Sequence, residues 1–460
     1  MTMINNALSG ALAAQAALAV TSQNVANLMT PGYTRQGILL TSAQPSRSGP
    51  TAAGDGVSTP ALFRFADDYK SLQMWQAASS LGQNSTMQPY LTQLEQVMGD
   101  DGASINGGMD AFFSALNAAS VDPTSSPLRQ QVISSAEALA VRFNSLNQVL
   151  ANQRGAIDQQ RTSVLSQVNS LSGDIAKLND RIAAAGALGA SPSGLIDERD
   201  NKIDALATLV GVQVVNQADG TRNVALRSGA PLVVGSTAAT VTQAAPLADG
   251  TPALNVKFAK ESFTLASRNL GGQLGGLDSY QTDVLQPMTQ SISDMAAQLT
   301  TAFNTQLAAG FAMDGTPGTP LFQLDTTSVS ALLTVTPGIK AQDLAFSANP
   351  ALPGDSANLL ALIGVKNQPV TVSPLGSVLL GDAYTQLVSR LGTDSQQNAA
   401  ALTVSETVRT YAESNWKSTS GVNSDEEAVN LVQYQQMYQA NMKVVAVANT
   451  LFDSTLEMMG

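Results

Sequence analysis

The two ends of the chain carry the same pattern of apolar positions. Near the amino terminus, a 4,3 spacing predicts an amphipathic helix over residues 1–30. Its apolar stripe consists of Ile4, Leu8, Ala11, Leu18 and Val25. Pro31 and Gly32 predict the end of this helix and a turn. Near the carboxy terminus the same spacing recurs at Met437, Ala440, Val444, Val447, Leu451 and Met458. We therefore expect similar helices at the two ends of the sequence.

Long helical patterns fill much of the chain between these ends. The sequence predicts one helix from Leu62 to Met98 and a short helix from Phe112 to Ala119. Two later helices are expected over Leu277 to Ala309 and over Leu379 to Trp416. Segments of this length favour a helical bundle.

The longest helical pattern begins near residue 126. Ser126 followed by Pro127 is typical of a helix start. From there a 3,4 alternation runs through Leu139, Phe143, Leu146, Leu150, Ile157, Val164, Val168, Leu171, Ile175, Leu178 and Ile182. Polar Gln153 and Arg161 lie in the same stripe, and the 4,4 step near Ile157 is typical of a stutter. A helix of ~55 residues would form a rod ~80 Å long.

The period of the pattern changes from helical to two over residues 211–270. Short strands are predicted at Val212–Val215, Asn223–Leu226, Leu232–Val234 and Leu254–Phe258. Asp219-Gly220 and Asp249-Gly250 lie where hairpin turns are expected. Residues 314–374 are rich in Gly, Pro and Thr and predict loops or further strands.

These elements predict a mainly α protein with an inserted small β-domain. The amino- and carboxy-terminal regions together form a long helical coiled-coil or bundle rod. The 460 residues suggest about three domains at ~150 residues each. The expected division is terminal helices over 1–50 and 420–460, a helical bundle over 51–210 and 271–419, and an antiparallel β-domain over 211–270.

The composition excludes most catalytic chemistry. The chain has no Cys and no His, which removes disulfides, thiolate or imidazole metal sites and His-dependent catalytic triads. Its net charge of -12 would repel nucleic acid and anionic lipid. No run of roughly 18 continuous apolar residues predicts a membrane span. We therefore expect no nucleic-acid or membrane partner, and no catalytic, metal or cofactor site.

The two terminal helices are almost without charge, in a chain with 13% charged residues where ~25% is usual. Arg35 is the first charged residue, and Lys443 is the only one between Ala428 and Phe452. Burying an ion costs several kcal/mol, so neutral helices suit an assembly in which neighbouring subunits enclose them. An ordinary antiparallel pair inside a globular core is the alternative. The first helix also lacks the positive residues of a signal peptide, so no cleaved signal is expected.

Acidic clusters and a glycine run were the remaining candidates for chemistry. The densest acidic cluster consists of Asp197, Glu198, Asp200 and Asp204. Two carboxylates can act as acid and base or bind a hard cation. Because Arg199 and Lys202 are interleaved, and Glu198 and Lys202 have i,i+4 spacing, we interpret the cluster as a solvated helix face. Asp425 to Glu427 fit a helix start, and Gly271 to Gly276, without phosphate-loop spacing, predict a tight strand-to-helix junction.

Short motifs lie at both ends and in the middle of the chain. The first comprises Ser22–Asn27 and Thr30–Gln36. The second runs from Gly421 to Glu427 and continues with Asn430, Leu431, Gln435, Gln436, Tyr438, Ala440 and Asn441. The third is Leu195–Asp200, which leads to Leu209–Val212. These motifs resemble bacterial flagellar axial proteins, and their combination is most similar to the FlgK family of hook-associated proteins. The resemblance spans essentially the full length, although this chain is shorter than many relatives.

The resemblance implies a structural subunit of the bacterial flagellum. Such subunits form the junction between hook and filament by polymerising through their terminal helices, as a ring of roughly eleven copies. The implied partners are copies of the same chain, the hook protein, the second hook-associated junction protein and a FlgN-type export chaperone on the carboxy-terminal helix. It also implies type III export without a cleaved signal to an extracellular position, with the terminal helices as an inner tube and the β-domain facing outward.

The same resemblance points to residues of an assembly interface. For the turn after the first helix they are Asn24, Asn27, Gly32, Tyr33 and Arg35. For the carboxy-terminal helix they are Asn423, Glu427, Tyr438, Asn441, Val444, Val447 and Leu451. The alternative is that the turn residues only stabilise their own turn. A hook- or rod-type axial protein is a second reading of the function. A secreted carboxylate-dependent hydrolase is a third, and its β-domain offers only Asp219, Asp249 and Glu261.

Overall fold

The computed structural model describes residues 2–44, 54–190, 192–248 and 251–459. Most of these residues are helical, which confirms the predicted fold class. The first helices are α1 (Thr2–Ala26), α2 (Asp68–Gly99), α3 (Ile105–Ala119), α4 (Ser126–Ala187) and α5 (Ser193–Leu209). The later ones are α6 (Gly272–Ser279), α7 (Gln286–Ala308), α8 (Ala357–Gly364), α9 (Leu380–Ser420) and α10 (Ser424–Met459). Helices α2 to α7 and α9 pack together as a bundle, which we call the rod.

Helix α4 runs the length of the rod. It has 62 residues, slightly more than the sequence predicts. Ser125, in an extended conformation, precedes the helix, so the cap lies one residue before the predicted Ser126. The predicted stripe is buried except for Leu171, which is half-buried, and Gln153 and Arg161 are buried with it. The 4,4 step is therefore a real feature of the packed face.

An antiparallel ribbon follows α1 where the sequence predicts the start of a helix. Strand β1 (Gln36–Ser42) pairs with β2 (Val57–Arg64). The prediction of a helix from Leu62 is therefore wrong at its start, because Leu62 lies in β2. Helix α2 begins only after Asp67, whose side chain accepts hydrogen bonds from the next turn and fixes the cap. Helix α1 likewise ends at Ala26, before the predicted residue 30.

The predicted β-domain is present between α5 and α6. One sheet has four strands, β3 (Val212–Asn216), β4 (Arg222–Leu226), β5 (Pro231–Val234) and β6 (Thr237–Ala238). A second has three strands, β7 (Thr240–Ala244), β8 (Ala253–Phe258) and β9 (Glu261–Ala266). All pairs are antiparallel. The predicted turn at Gly220 forms with a positive φ of 82°, and Asp249-Gly250 lies outside the described residues.

The glycine-rich run after β9 makes the tight junction that the sequence predicts. Gly271 and Gly272 have positive φ angles of 68° and 61°. A Cβ on Gly272 would lie 2.4 Å from the Val210 nitrogen. Only glycine fits this approach of the chain to α6. Close packing of the backbone therefore explains the glycine run without a phosphate loop.

Residues 314–374 form two small hairpins and one short helix at the rod. The hairpins are β10 (Phe322–Leu324) with β11 (Leu333–Val335), and β12 (Pro369–Val372) with β13 (Gly376–Leu379). Helix α8 lies between them. Phe322 packs against Phe112 and Phe303 of the rod with ring centroids 5.6 and 5.7 Å away, so these hairpins extend the rod core.

Helices α1 and α10 stand apart from that core, and we call this pair the terminal arm. They pack along each other, and α1 also packs on the β1–β2 ribbon. The continuous apolar core of the rod and β-domain includes no buried residue of α1 or α10 among those described. The arm is thus a separate packing unit, joined to the rod through the ribbon and the turn after α1.

Candidate functional site

A seam of small residues holds the terminal arm together. On α1 the buried positions include Ala7, Gly10, Ala14 and Ala17, spaced three and four apart. The helices are antiparallel, because Gly10 faces Asn441 while the end of α1 lies beside the start of α10. A Cβ on Gly10 would lie 2.6 Å from the Asn441 side-chain oxygen. Small side chains therefore allow the two helices to approach closely.

The apolar stripes predicted from the sequence lie largely outside this seam. On α1, Leu8 and Val25 of the predicted stripe are exposed, as is Leu12 beside it, whereas Ala11 of the stripe is buried. On α10, Val444, Val447 and Leu451 are 40%, 55% and 58% exposed, and Phe452, Leu456 and Met458 continue the surface. We call these side chains together the apolar arm surface. Large apolar side chains exposed in this number on one helix pair indicate an interaction site. The alternative of a pair enclosed in one globular core is wrong.

Residues Met3–Ala26 are long and apolar enough to cross a membrane by length and composition alone. This differs from the sequence-based expectation, which counted only continuous apolar runs. Ala residues supply much of this hydropathy, and they form the seam with α10. Packing within the arm therefore accounts for the apolar character of α1.

Asn24 fastens the turn after α1 to the ribbon. Its Nδ2 donates to the Gln36 carbonyl at 2.9 Å, while its Oδ1 accepts from the Gln36 N–H at 3.0 Å and from the Tyr33 hydroxyl at 2.9 Å. Burial raises the pKa of Tyr33, as do the charges of Asp197 and Glu427. Asn27 bonds locally, to the Gln23 carbonyl and the Thr30 hydroxyl. Asn24 thus has the central position in the turn.

Gly32 supports a specific test of this turn. Its φ is +72°, and an added Cβ would lie 1.8 Å from the Asn201 side-chain oxygen. We expect Gly32→Ala to destabilise the folded chain by more than the cost of the backbone angle alone, which is about 1 kcal/mol. Gly338→Ala is the matched control, because Gly338 has a φ of +80° and nothing near the Cβ position. Urea unfolding measures both, and equal losses would contradict the contact with Asn201.

Arg35 connects the turn to both helices that meet at the base of the arm. Its N–H donates to the Ser420 carbonyl at 2.8 Å, at the end of α9. Its guanidinium pairs with Glu426 and lies 4.0 Å from the centroid of the Phe65 ring. Asn423 accepts from the N–H groups of Asp425 and Glu426 at 2.9 and 3.4 Å and so caps α10. The prediction that these acids open a helix is confirmed.

The other predicted interface residues divide between seam and surface. Glu427 is buried beside the turn. Asn441 lies in the seam against Gly10, and its amide also donates to the Met437 carbonyl at 2.9 Å. Tyr438 has an exposed ring, which places it on the outer side of α10. The structure therefore brings Asn24, Tyr33, Arg35 and Glu427 together and leaves Tyr438 with Val444, Val447 and Leu451 on the outside.

The interpretation of the acidic cluster on α5 as a solvated face is wrong. Asp197 and Arg199 are buried, and Asp200 is mostly covered. Arg64 pairs with Asp197, while Asp200 lies 2.8 Å from Arg222 and 3.1 Å from Arg199. Lys202 lies 3.8 Å from Asp174 instead of pairing with Glu198. We call Arg64, Asp197, Arg199, Asp200 and Arg222 the junction ion network.

This network ties the base of the arm to the rod and the β-domain. Asp197 accepts from the Thr34 N–H at 3.2 Å, and Arg64 donates to the Thr34 hydroxyl at 2.9 Å. Arg222 also pairs with Asp68 at the start of α2. Beside the network, Arg409 makes a two-pronged contact with Asp204 at 2.7 Å for each bond.

The electrostatics of the network follow from its burial. Burial raises the pKa of Asp197, and the nearby Arg64 guanidinium opposes that shift. Burial also lowers the pKa of Arg199, against the attraction of Asp200. Charges held away from water in this way are costly unless every partner is present. The network is consequently sensitive to the loss of any one member.

Sequence reasoning missed Arg64, Arg222 and Arg409 as partners of the acids. Their separation in sequence hides the contacts, since residues 64 and 409 lie on other elements of the fold. One signal was available for Arg222. It alternates with Val224 and Leu226 on the buried face of β4, and a charge on that face requires a buried partner.

The carboxylates considered for catalysis do not converge. The Thr221 hydroxyl and N–H donate to Asp219 and lower its pKa, which identifies a turn residue. Glu261 lies on the exposed strand β9, and Asp249 is outside the described residues. Among the described residues, no group of three or more acidic side chains could hold a metal ion.

Comparisons with known proteins agree with this geometry. A family model described as the flagellar hook-associated protein FlgK helical domain matches residues 91–322. Two shorter models match the ends, the flagella basal body rod protein at 4–34 and the flagellar basal body rod FlgEFG protein C-terminal at 417–458. The short models cover the two helices of the arm, and the first covers much of the rod and the whole β-domain.

The full chain is also similar to characterised relatives. Flagellar hook-associated protein 1 of Salmonella typhimurium is 27% identical, over 99% of this chain and 100% of the relative. The protein of the same name from Bacillus subtilis is 27% identical over 97% and 96%. The solved structure of the flagellar hook junction protein FlgK from Burkholderia pseudomallei matches with a TM-score of 0.67 at 18% identity. It covers 76% of this chain and the whole of that protein, and it supports the fold.

Proposed function

The chain belongs to the FlgK family of flagellar hook-associated proteins, and we propose that it forms the structural junction between hook and filament. The apolar arm surface is the observation that carries this proposal. Exposed side chains from Leu8 to Val25 on α1 and from Val444 to Met458 on α10 need neighbours to cover them. Copies of the same chain supply such neighbours on every side in a closed ring.

A hook- or rod-type subunit is not favoured. The two rod-protein models match only the ends of the chain, and such terminal motifs are shared among axial proteins. The FlgK helical-domain model matches residues 91–322, in the middle of the chain and outside those shared terminal motifs. Catalysis is not part of the proposal, since Asp219 lies in a turn and Glu261 lies on an exposed strand.

Several finer features belong to the same proposal. The partners are the hook protein on one side and the second hook-associated junction protein on the other, in a ring of roughly eleven copies. The terminal arm lines the inner tube, and the β-domain faces outward. The subunit is exported without a cleaved signal to the outside of the cell, and a FlgN-type chaperone covers α10 before export. The long exposed apolar stretch at the end of α10 supports that last role.

Labelling the protein in intact flagella tests its position. Antibodies against the β-domain should bind in one band at the distal end of the hook. Labelling along the hook or the rod would contradict the junction role. A strain that lacks the protein should have hooks without filaments, and the plasmid-borne gene should restore them.

The isolated subunit should have mobile ends. The sequence predicts mobility for the first ~40 and last ~35 residues, because they bury too little apolar surface to offset the entropy of ordering. Because Thr34 and Arg35 form hydrogen bonds with the rod, we expect the mobile residues to be those of α1 and α10 only. Limited proteolysis by elastase should remove both helices while the rod persists. Ends that survive as long as the rod would contradict the prediction.

A further inference from the structure

Three features that interrupt or alter a regular helix pattern lie at one level of the rod. Helix α2 contains Pro89, α4 has its 4,4 step, and residues Tyr280–Leu285 between α6 and α7 form a π-helix. Contacts place these features side by side. The Tyr90 and Tyr280 rings stack with centroids 5.3 Å apart, and the Tyr280 hydroxyl donates to Gln153 at 2.6 Å.

Pro287 explains the π-helix. Proline has no N–H, so the Asp283 carbonyl lacks its normal partner four residues ahead. The Gln286 N–H bonds instead to the Gln281 carbonyl, five residues back. Single turns of π-helix are rare and break the regular ladder of hydrogen bonds. Here the break lies in the middle of the rod instead of at its end.

The same level has a buried ion pair between two elements of the rod. Arg161 donates to Asp278 through Nε and Nη2 at 3.0 and 2.8 Å, and both side chains are buried. Burial raises the pKa of Asp278, and Arg161 opposes that shift. A buried ion pair contributes little stability relative to well-packed apolar residues. This pair therefore holds the helices less strongly than apolar side chains in its place would.

The packing is also incomplete on the side of α9. A surface groove of about 290 Å³ lies between the π-helix and α9, lined by residues that include Val284, Arg390 and Asp394. Where α9 does meet α2, the contact is polar, since Asn398 donates to the Asn84 carbonyl at 3.0 Å and to Gln88 at 2.8 Å. The rod thus has room to close on one side at this level.

We propose that the rod bends at this level, which we call the joint. Helices bend at prolines and at π-turns, and the joint has Pro89 of α2 and the π-helix in one cross-section, beside the buried pair of Arg161 and Asp278. The groove provides the free space on the inner side of the bend. The use of the joint rests on the proposed function, because a junction between a curved hook and a filament needs subunits that differ in inclination around the ring.

Hydrogen exchange on the purified chain tests the joint. Amides of residues 281–286 should exchange about tenfold or more faster than those of residues 164–168, which lie in a regular part of α4. Pro287→Ala restores the missing donor and should slow exchange at 281–286 by about tenfold. Pro127→Ala, in the first turn of α4, is the control and should change nothing there. Equal protection at 281–286 and 164–168 would overturn the proposal.

Distances measured across the joint give an independent test. The chain has no Cys, so spin labels can be attached at chosen sites. Labels at Val141→Cys and Tyr411→Cys lie on opposite sides of the joint, and their distance distribution should narrow with Pro287→Ala. Labels at Lys177→Cys and Tyr411→Cys lie on one side and should show no change. Identical widths for the spanning pair in both proteins would refute bending at the joint.

A second variant tests the joint through the buried ion pair instead of through Pro287. Replacement of Arg161 and Asp278 together by Leu should narrow the same spanning distribution without unfolding the rod, because apolar residues substitute well for a buried ion pair. None of these measurements needs a flagellum. A uniform rod would contradict the joint and leave the junction role intact, whereas absence of the protein from the hook end would contradict the junction role alone.

Discussion

Val444→Asp should abolish attachment of filaments to hooks while the rod stays folded. Val444 lies on the outer face of α10, within the apolar arm surface. In the ring that we propose, neighbours cover that face, and an unpaired carboxylate buried there would cost several kcal/mol in every copy. A loss of that size in each contact prevents a stable ring. Electron microscopy of a deletion strain that expresses the variant counts the attached filaments, and circular dichroism of the purified chain checks the fold.

Val141→Asp is the matched control for this experiment. Val141 is an exposed valine on α4 of the rod, away from the arm, and at 62% it is more exposed than Val444 at 40%. The same charge there should leave filaments attached. Normal attachment with Val444→Asp, or equal loss with both variants, would show that the arm surface is not the assembly surface.

Asp197→Ala should destabilise the folded chain by about 3–5 kcal/mol, the cost of leaving a buried charge without its partner. The change removes the acceptor of Arg64 and of the Thr34 N–H at the base of the arm. Urea unfolding measures the loss. Because the same contacts fix the turn after α1, the variant should also reduce filament attachment.

Two further variants separate this network from ordinary surface charge. Asp174→Ala removes a carboxylate that lies 3.5 and 3.8 Å from Lys177 and Lys202 on the surface, and it should cost less than about 0.5 kcal/mol. Asp197→Leu combined with Arg64→Met should recover much of the stability that Asp197→Ala loses, since neither charge is then stranded. A double variant no more stable than Asp197→Ala would argue against a stranded charge as the cause.

Periodicity predicted the long elements because each buries one face. The stripe of α4 and the alternation in β4 reflect burial that the sequence records directly. The β1–β2 ribbon escaped prediction because most of its residues are exposed, so no buried face marks it. Leu62 then looked like part of the helix that follows.

Only part of the candidate site could be predicted from the sequence, for a related reason. Residues of the turn, such as Asn24 and Tyr33, act within a short stretch of chain, and their roles can be inferred locally. The junction ion network joins residues 64, 197 and 222 from separate elements, and no local spacing indicates that contact. The sequence identifies the apolar stripes on α1 and α10. It does not show which way they face, because that depends on which helix face carries the small residues of the seam.

The absence of charge from α1 has a consequence for the environments in which a flagellum works. Ionic strength weakens attraction between charged groups, because mobile ions screen it within about 10 Å at 0.1 M salt. Contacts between uncharged apolar side chains are not screened, and sulfate or phosphate strengthens them slightly. A propeller fastened through such contacts should stay attached when the swimming cell passes from fresh water to brine.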